Sequence, residues 1–490
     1  MSGNKSYIIK PNMLYYELPL NAIFKKMFII FLSSYLLSCA ATNSIKSINH
    51  KNQIASFINS SIKKYNLPMS LSINITSLNN QERLYALNNE KLFTPASTVK
   101  LFTSLVSMNH FKKDHTFKTS ILKKNNNLYL VGGANPSLTF SELDSLAIIV
   151  SKLVSKVDTL FLDDRILDSL NYGRGWMWDE GSGPSCAPVG GLTLNNNCID
   201  FIIARGLLHR QVEVNTIPRT DYVRLINLSR TVENDTGQEE FKVERDWVNQ
   251  TNQFIVSGEL PINSHNDTIS RNIFDPTSFT GFIFSESLQY NGLEVKNIVR
   301  QRENHNSLDT ILTHKSKPIS QIIKDMHYKS NNLIAETLIK SVGLTDTSSG
   351  SWNAGLHKLK GYLSEQINFD TTRFRIVDGS GLSRYNLLST DQVVKLLVYV
   401  YNSKFRQDFI MSLPTGGEIG SSLEKRLQFS KDKLYAKTGS LSGVSCLSGY
   451  AFSPKYGPLA FSIIINGFVG DIKPYRRFQD EICSWLTIDL

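Results

Sequence analysis

The chain has 490 residues, 41% of them hydrophobic and 20% charged, which is the make-up of a globular protein with room for two or three domains. Its formal charge of +10 comes from scattered Lys and Arg without a run of five, so it is not a nucleic-acid footprint. Five cysteines exclude a disulfide scaffold, and the absence of C-x-x-C and H-E-x-x-H patterns points to no metal.

At the N-terminus, Lys25-Lys26 precede the apolar run Met27 to Leu37, and Ser38-Cys39-Ala40 follow. A basic step, a short apolar run and small residues read as a secretory signal over 1–38. Leu36-Leu37-Ser38-Cys39 is similar to a bacterial lipobox, which would make Cys39 a lipidated first residue and anchor the protein to the membrane. The stretch before Lys25 is long for such a signal, so translation could start downstream of Met1, at Met27 for example.

Ile54, Phe57, Ile58 and Ile62 predict an amphipathic helix over 50–65. Met69, Leu71, Ile73 and Ile75 alternate with polar residues, as in a half-buried strand, and Arg83 to Leu87 can return as its partner. Pro95-Ala96-Ser97-Thr98-Val99-Lys100 then opens an apolar segment suited to a buried helix, with Pro95 in its first turn. Ser97 and Lys100 share one helix face, the arrangement of a serine activated by an amine. By itself Ser-x-x-Lys is weak: Ser60/Lys63, Ser120/Lys123 and Ser422/Lys425 also match.

From about 116 to 299 the chain carries short strand-like runs, such as Leu128 to Val131, Thr159 to Leu162 and Cys198 to Ala204. This region reads as a large, mainly β insertion of one or two domains that contributes no strand to the sheet of the flanking parts. Helical spacing returns with Ile319, Ile322, Ile323 and Met326, and Ser330-Asn331-Asn332 lies on or beside that helix. Near the C-terminus, Lys433 to Lys437, Cys446 to Phe452 and Leu459 to Asn466 read as three strands. A last helix after Pro474 carries Phe478, Ile482 and Trp485 on one face. The N-terminal hairpin and these strands together predict a five-stranded antiparallel sheet flanked by helices.

A Lys near its ordinary pKa of about 10.4 is a poor base at neutral pH. Burial and a second cation both lower it, and Lys437 in Ala436-Lys437-Thr438-Gly439-Ser440 is the candidate cation. Gly439 would let a substrate backbone approach closely.

The order Ser97-x-x-Lys100, Ser330-x-Asn332, Lys437-Thr438-Gly439 resembles the penicillin-binding protein 4 type of D-alanyl-D-alanine carboxypeptidase. Asp378 to Arg384 (D-G-S-G-L-S-R), Trp176-Met177-Trp178-Asp179, Ala187-Pro188 and Asn195 to Cys198 carry the same likeness. So do the 233 positions between Ser97 and Ser330, too many for a compact β-lactamase. Gly132-Gly133-Ala134-Asn135-Pro136 departs from the family's usual Gly-Gly-Gly-Asp-Pro, and Asn331 stands where Asp is common. The resemblance implies an α/β (α+β) protein with a β-lactamase/transpeptidase-like catalytic domain over 39–115 and 300–490, interrupted by the insertion at 116–299.

It also implies roles. Ser97 is the nucleophile, Lys100 the general base, and Ser330 the relay to the leaving amine. Asn332 holds the substrate amide, and Lys437 and Thr438 bind the terminal carboxylate. Gly439 and Ser440 line the substrate, with the backbone N–H groups of Ser97 and Ser440 as the oxyanion hole. No cofactor is implied. The partners implied are peptidoglycan stem peptides and β-lactam antibiotics, and the place is the periplasm-facing cell envelope. A DD-endopeptidase using the same residues, and a non-catalytic murein-binding lipoprotein of the same fold, are the alternative readings. An oxidising compartment would let Cys186 and Cys198 form a short bridge, leaving Cys446 and Cys483 as buried thiols.

Overall fold

The computed structural model describes Gly3 and residues 49–488, apart from 234–238 and 302–306. Cys39 and the signal segment therefore lie outside the described residues.

Five antiparallel strands form the central sheet, in the order Leu434–Leu441, Val444–Ser453, Gly457–Asn466, Ser70–Ser77, Arg83–Leu87. The N-terminal hairpin joins the C-terminal meander where Ser70 pairs with Asn466 and Ser77 with Leu459. Each of the last three strands runs longer than predicted, because pairing continues through Thr438 to Leu441 against Val444 to Leu447 and through Gly457-Pro458 against Phe452-Ser453. The middle strand shows how the two faces are covered. Ser445 bonds Gln479 of the last helix, Lys473–Thr487, whereas the Tyr450 hydroxyl donates to the Leu397 carbonyl of Thr390–Tyr401. These residues are an odd number apart, so the two helices lie on opposite faces. The last helix buries Phe478 and Ile482, with Trp485 only half-buried, and Glu481 on it accepts from Ser61, Lys64 and Tyr65.

Among the described residues, none of 116–299 belongs to the central sheet. That region builds a second, mixed five-stranded sheet in the order Val295–Arg300, Val157–Asp163, Asn127–Gly132, Lys118–Lys124, Asp309–Lys315. Helices Phe140–Leu153 and Pro276–Tyr290 share one apolar core with it and with Ile199, Phe201, Val243 and Phe254 of the smaller sheets. The strand pairing runs past residue 299. Asp309–Lys315 pairs along Lys118–Lys124, so the insertion's sheet closes only with a strand from beyond residue 300. The sequence did not show this because Asp309–Lys315 carries few apolar residues; it is an edge strand with no fully buried position.

The expected bridge between Cys186 and Cys198 is absent, and both are free thiols. Each has a local partner: Cys186 Sγ donates to the Gly183 carbonyl at 3.4 Å and Cys198 Sγ to that of Asn196 at 3.4 Å. Cys446 and Cys483 are buried thiols.

Candidate active site

Ser97 does not sit on the long helix. A 3₁₀ turn, Ala96–Val99, carries it, and the α-helix Lys100–His110 begins three residues later. The cause is Ala96, whose φ of 45° bends the chain after Pro95 and sets Ser97 half-buried at the head of the helix. Gly381 makes the bend possible. Its φ is +86°, and a Cβ there would lie 1.9 Å from the Ala96 carbonyl oxygen. On the other side is the strand of the third motif: a Cβ on Gly439 would lie 3.1 Å from the Ser97 nitrogen. The Ser97 turn is held between two glycines.

Lys100 is fully buried, and its Nζ donates to three acceptors: Ser97 Oγ at 3.0 Å, Asn332 Oδ1 at 2.6 Å and the Ser380 carbonyl at 2.9 Å. That uses the three donors of an ammonium. As a free amine it would instead present a lone pair to the Ser97 hydroxyl.

The second motif forms a joint between helices Ile319–Tyr328 and Asn332–Val342. Ser330 has a φ of 54°, and its Oγ accepts from Lys437 Nζ at 2.8 Å. Asn331, the position given no chemistry, is the N-cap of the second helix and accepts from the Ile334 amide at 3.0 Å. Asn332 Nδ2 donates to the Ser185 carbonyl at 2.7 Å, so its amide ties the insertion to Lys100. Lys437 also donates to the Thr438 carbonyl at 2.7 Å, and Thr438 Oγ1 to Ser422 Oγ at 2.9 Å. Ser440 is exposed, and its Oγ accepts from Arg476 at 3.1 Å. A cavity of about 730 Å³ opens beside Ser330, Asn331 and Asn332, with Pro136, Ser185, Asn196 and Asp200 of the insertion on its other wall.

Burial pushes the Lys100 amine down to about 7, against the opposing pull of the Glu336 and then the Asp378 carboxylates. Burial also depresses Lys437 well below the ordinary range, with the charge of Lys100 adding to the effect. The sequence argument looked to a second cation to lower Lys100; desolvation is the larger cause, and the repulsion between the two lysines registers on Lys437.

Three buried groups around this pair escaped the sequence reading. Glu336 lies one helical turn beyond Asn332 and is fully buried. Asp378 gathers the D-G-S-G-L-S-R turn: its carboxylate accepts from the amides of Gly381 and Ser383, from Asn386 Nδ2 and from Trp176 Nε1. His327 lies between Ser104 Oγ (2.7 Å) and Ser412 Oγ (3.0 Å), and burial beside Lys437 and Lys100 takes it down to about 3, so the ring is neutral. A lone Glu or His among apolar helix positions carries no local signal. The run from Asp378 did carry one, but as a likeness without a mechanism.

The profile of the D-Ala-D-Ala carboxypeptidase 3 (S13) family matches residues 55–487. The chain belongs to that family. A D-alanyl-D-alanine carboxypeptidase from Actinomadura sp. is 31% identical over 414 residues, spanning 79% of this chain and 76% of that protein. The D-alanyl-D-alanine carboxypeptidase DacB of Haemophilus influenzae is 24% identical over 434 residues, spanning 85% and 90%. The crystal structure of penicillin binding protein 4 from Haemophilus influenzae superimposes with a TM-score of 0.74 at 23% identity, covering 87% of this chain and 98% of that one. At that identity the match establishes the fold.

Proposed function

We propose that this S13 chain hydrolyses the terminal D-alanine of peptidoglycan stem peptides through an acyl-enzyme on Ser97, and that penicillins acylate the same oxygen. The observation that carries the reading is the buried Lys100 amine 3.0 Å from Ser97 Oγ, with burial lowering its pKa to about 7. Lys100 takes the hydroxyl proton as Ser97 Oγ attacks the carbonyl carbon of the penultimate residue. The carbonyl electron pair moves onto oxygen, beside the Ser97 and Ser440 amides, and returns as the C–N bond breaks. Ser330, bonded to Lys437, relays to the leaving amine the proton that Lys100 took from Ser97, which leaves Lys100 a free amine again. Water then cleaves the ester and frees Ser97. In this reading Lys437 and Thr438 receive the terminal carboxylate and Asn332 the substrate amide, once Asn332 turns from Lys100. The test is labelling with a fluorescent penicillin, together with D-alanine release from a D-Ala-D-Ala peptide. Ser97→Ala should abolish both; labelling that persists in this variant would move the nucleophile elsewhere.

The cell envelope is where such a substrate lies. We also propose that residues 1–38 direct export and that Cys39 carries the lipid, supported by the Lys25-Lys26 step, the apolar run and the Leu-Leu-Ser-Cys sequence. Metabolic labelling with a radioactive fatty acid should mark the protein and not its Cys39→Ser variant. For the domain boundaries we propose an insertion of 116–315, supported by the pairing of Asp309–Lys315 with Lys118–Lys124.

A further inference from the structure

Lys100 faces a shell of charged and polar groups from every element around it. Ser97 shares its own turn, and Asn332 and Glu336 come from helix Asn332–Val342. Asp378 and Ser380 come from the turn after residue 377, Lys437 from the third-motif strand, and His327 from helix Ile319–Tyr328. Within this shell neither Glu336 nor His327 has an assigned part, and Glu336 is the one that grips the backbone Lys100 bonds to. It is fully buried, and each of its recorded partners donates to it: Trp352 Nε1 at 2.7 Å and the Gly379 amide at 2.8 Å to one oxygen, and the Ser380 amide at 2.8 Å to the other. N–H donors on both oxygens favour the ionised carboxylate, against burial and the Asp378 charge, which raise the carboxyl to about 7. The peptide units it grips carry the carbonyls used by the nucleophile helix. Ser380 O accepts from Lys100 Nζ at 2.9 Å, and Gly379 O from Thr103 Oγ1 at 2.6 Å.

We propose that Glu336 is a positioning residue for Lys100: its carboxylate fixes the Gly379–Ser380 backbone so that the Ser380 carbonyl meets the lysine, and it places a buried negative charge one residue behind the ammonium. The inference rests on Lys100 acting as the base of Ser97. It explains how a fully buried lysine stays poised near neutrality. Burial alone drives the amine towards a permanently neutral and weaker base, and an anion behind it resists that drive. Burial, and then the neighbouring Asp378 carboxylate, raise the Glu336 carboxyl in turn, so the two carboxylates titrate as a pair beside Lys100.

The experiment is the pH dependence of acylation by a fluorescent penicillin, with circular dichroism as the control for folding. In Glu336→Gln the anion is gone, Lys100 loses its proton more easily, and the acid limb should move roughly one pH unit lower while the plateau rate falls about tenfold. Glu336→Asp keeps the charge with a shorter reach; its plateau should fall while its acid limb stays near the native position. If Glu336→Gln does not fold, Trp352→Phe removes one donor from the carboxylate and should move the limb in the same direction by less. A limb that stays in place in whichever of Glu336→Gln and Trp352→Phe folds, or one that moves upward, overturns the proposal. Failure of the native protein to be acylated would instead overturn the assignment of Ser97 and Lys100.

Discussion

Lys100 and Lys437 are two fully buried amines, bonded to Ser97 and Ser330 respectively; the charge of Lys100 lowers Lys437, and by reciprocity a charge held on Lys437 would lower Lys100. Lys437→Ala should therefore let Lys100 hold its proton to higher pH and shift the acid limb of acylation upward, opposite in sign to Glu336→Gln. An unshifted limb, with only a raised substrate constant, would confine Lys437 to carboxylate binding. His327 gives a stability prediction. Its folded pKa of about 3 lies below the unfolded value of about 6.5, so the unfolded chain binds more protons in that window. The neutral ring's contribution to stability is complete above about pH 6.5 and is lost as pH falls towards 3, at up to about 1.4 kcal/mol per unit. Denaturant midpoints measured over that window should show a smaller acid loss in His327→Gln than in the native protein. Parallel pH curves would mean that His327 takes up its proton normally.

At the scale of elements, three short pieces meet at Ser97: the 3₁₀ turn, the Asp378 turn and the third-motif strand. Their close approach depends on missing side chains. Gly381→Ala forces a Cβ into the Ala96 carbonyl at 1.9 Å and strains a φ of +86°, so it should displace the turn and reduce acylation by more than about tenfold, with a clear loss of stability. Gly439→Ala is the milder test. Its contacts at 3.0–3.1 Å require shifts of a few tenths of an ångström, so the protein should stay folded while acylation drops about tenfold. Penicillin labelling rates and circular dichroism of the two variants separate these outcomes. Equal, native-like rates in both would show that the turn is not held between these glycines.

Across the whole molecule, the insertion is fastened to the catalytic helices close to the site. Lys340, fully buried on helix Asn332–Val342, pairs with Asp168 at 2.7 Å, donates to the Leu170 carbonyl at 2.6 Å and lies 4.2 Å from the Trp352 ring centre. Trp176 reaches Asp378 from the same stretch, and Ser185 accepts from Asn332. Lys340→Met keeps the volume and leaves Asp168 unpaired; since Asp168 is partly exposed, the cost should be about 2 kcal/mol, below that of a fully buried pair. Chemical denaturation measures it, and an unchanged midpoint would mean that the Trp176–Trp352 packing and the hydrogen bonds of Trp176 and Ser185 hold the joint without the ion pair.

The sequence by itself determined the sheet and the three motifs. Period-two alternation in Met69 to Ile75 and the runs around Cys446 and Leu459 are local properties of the chain, and Ser-x-x-Lys, Ser-x-Asn and Lys-Thr-Gly are legible because their spacing is short. Tertiary structure decided what depends on residues far apart. The edge strand Asp309–Lys315 is too polar to announce itself and is defined by its partner Lys118–Lys124. Cys186 and Cys198 are twelve positions apart, yet each folds against a carbonyl of its own loop, which no spacing rule predicts. Glu336, Asp378 and His327 take their meaning from which charges they meet in the core, and that is fixed only when helix, turn and strand pack and water is excluded.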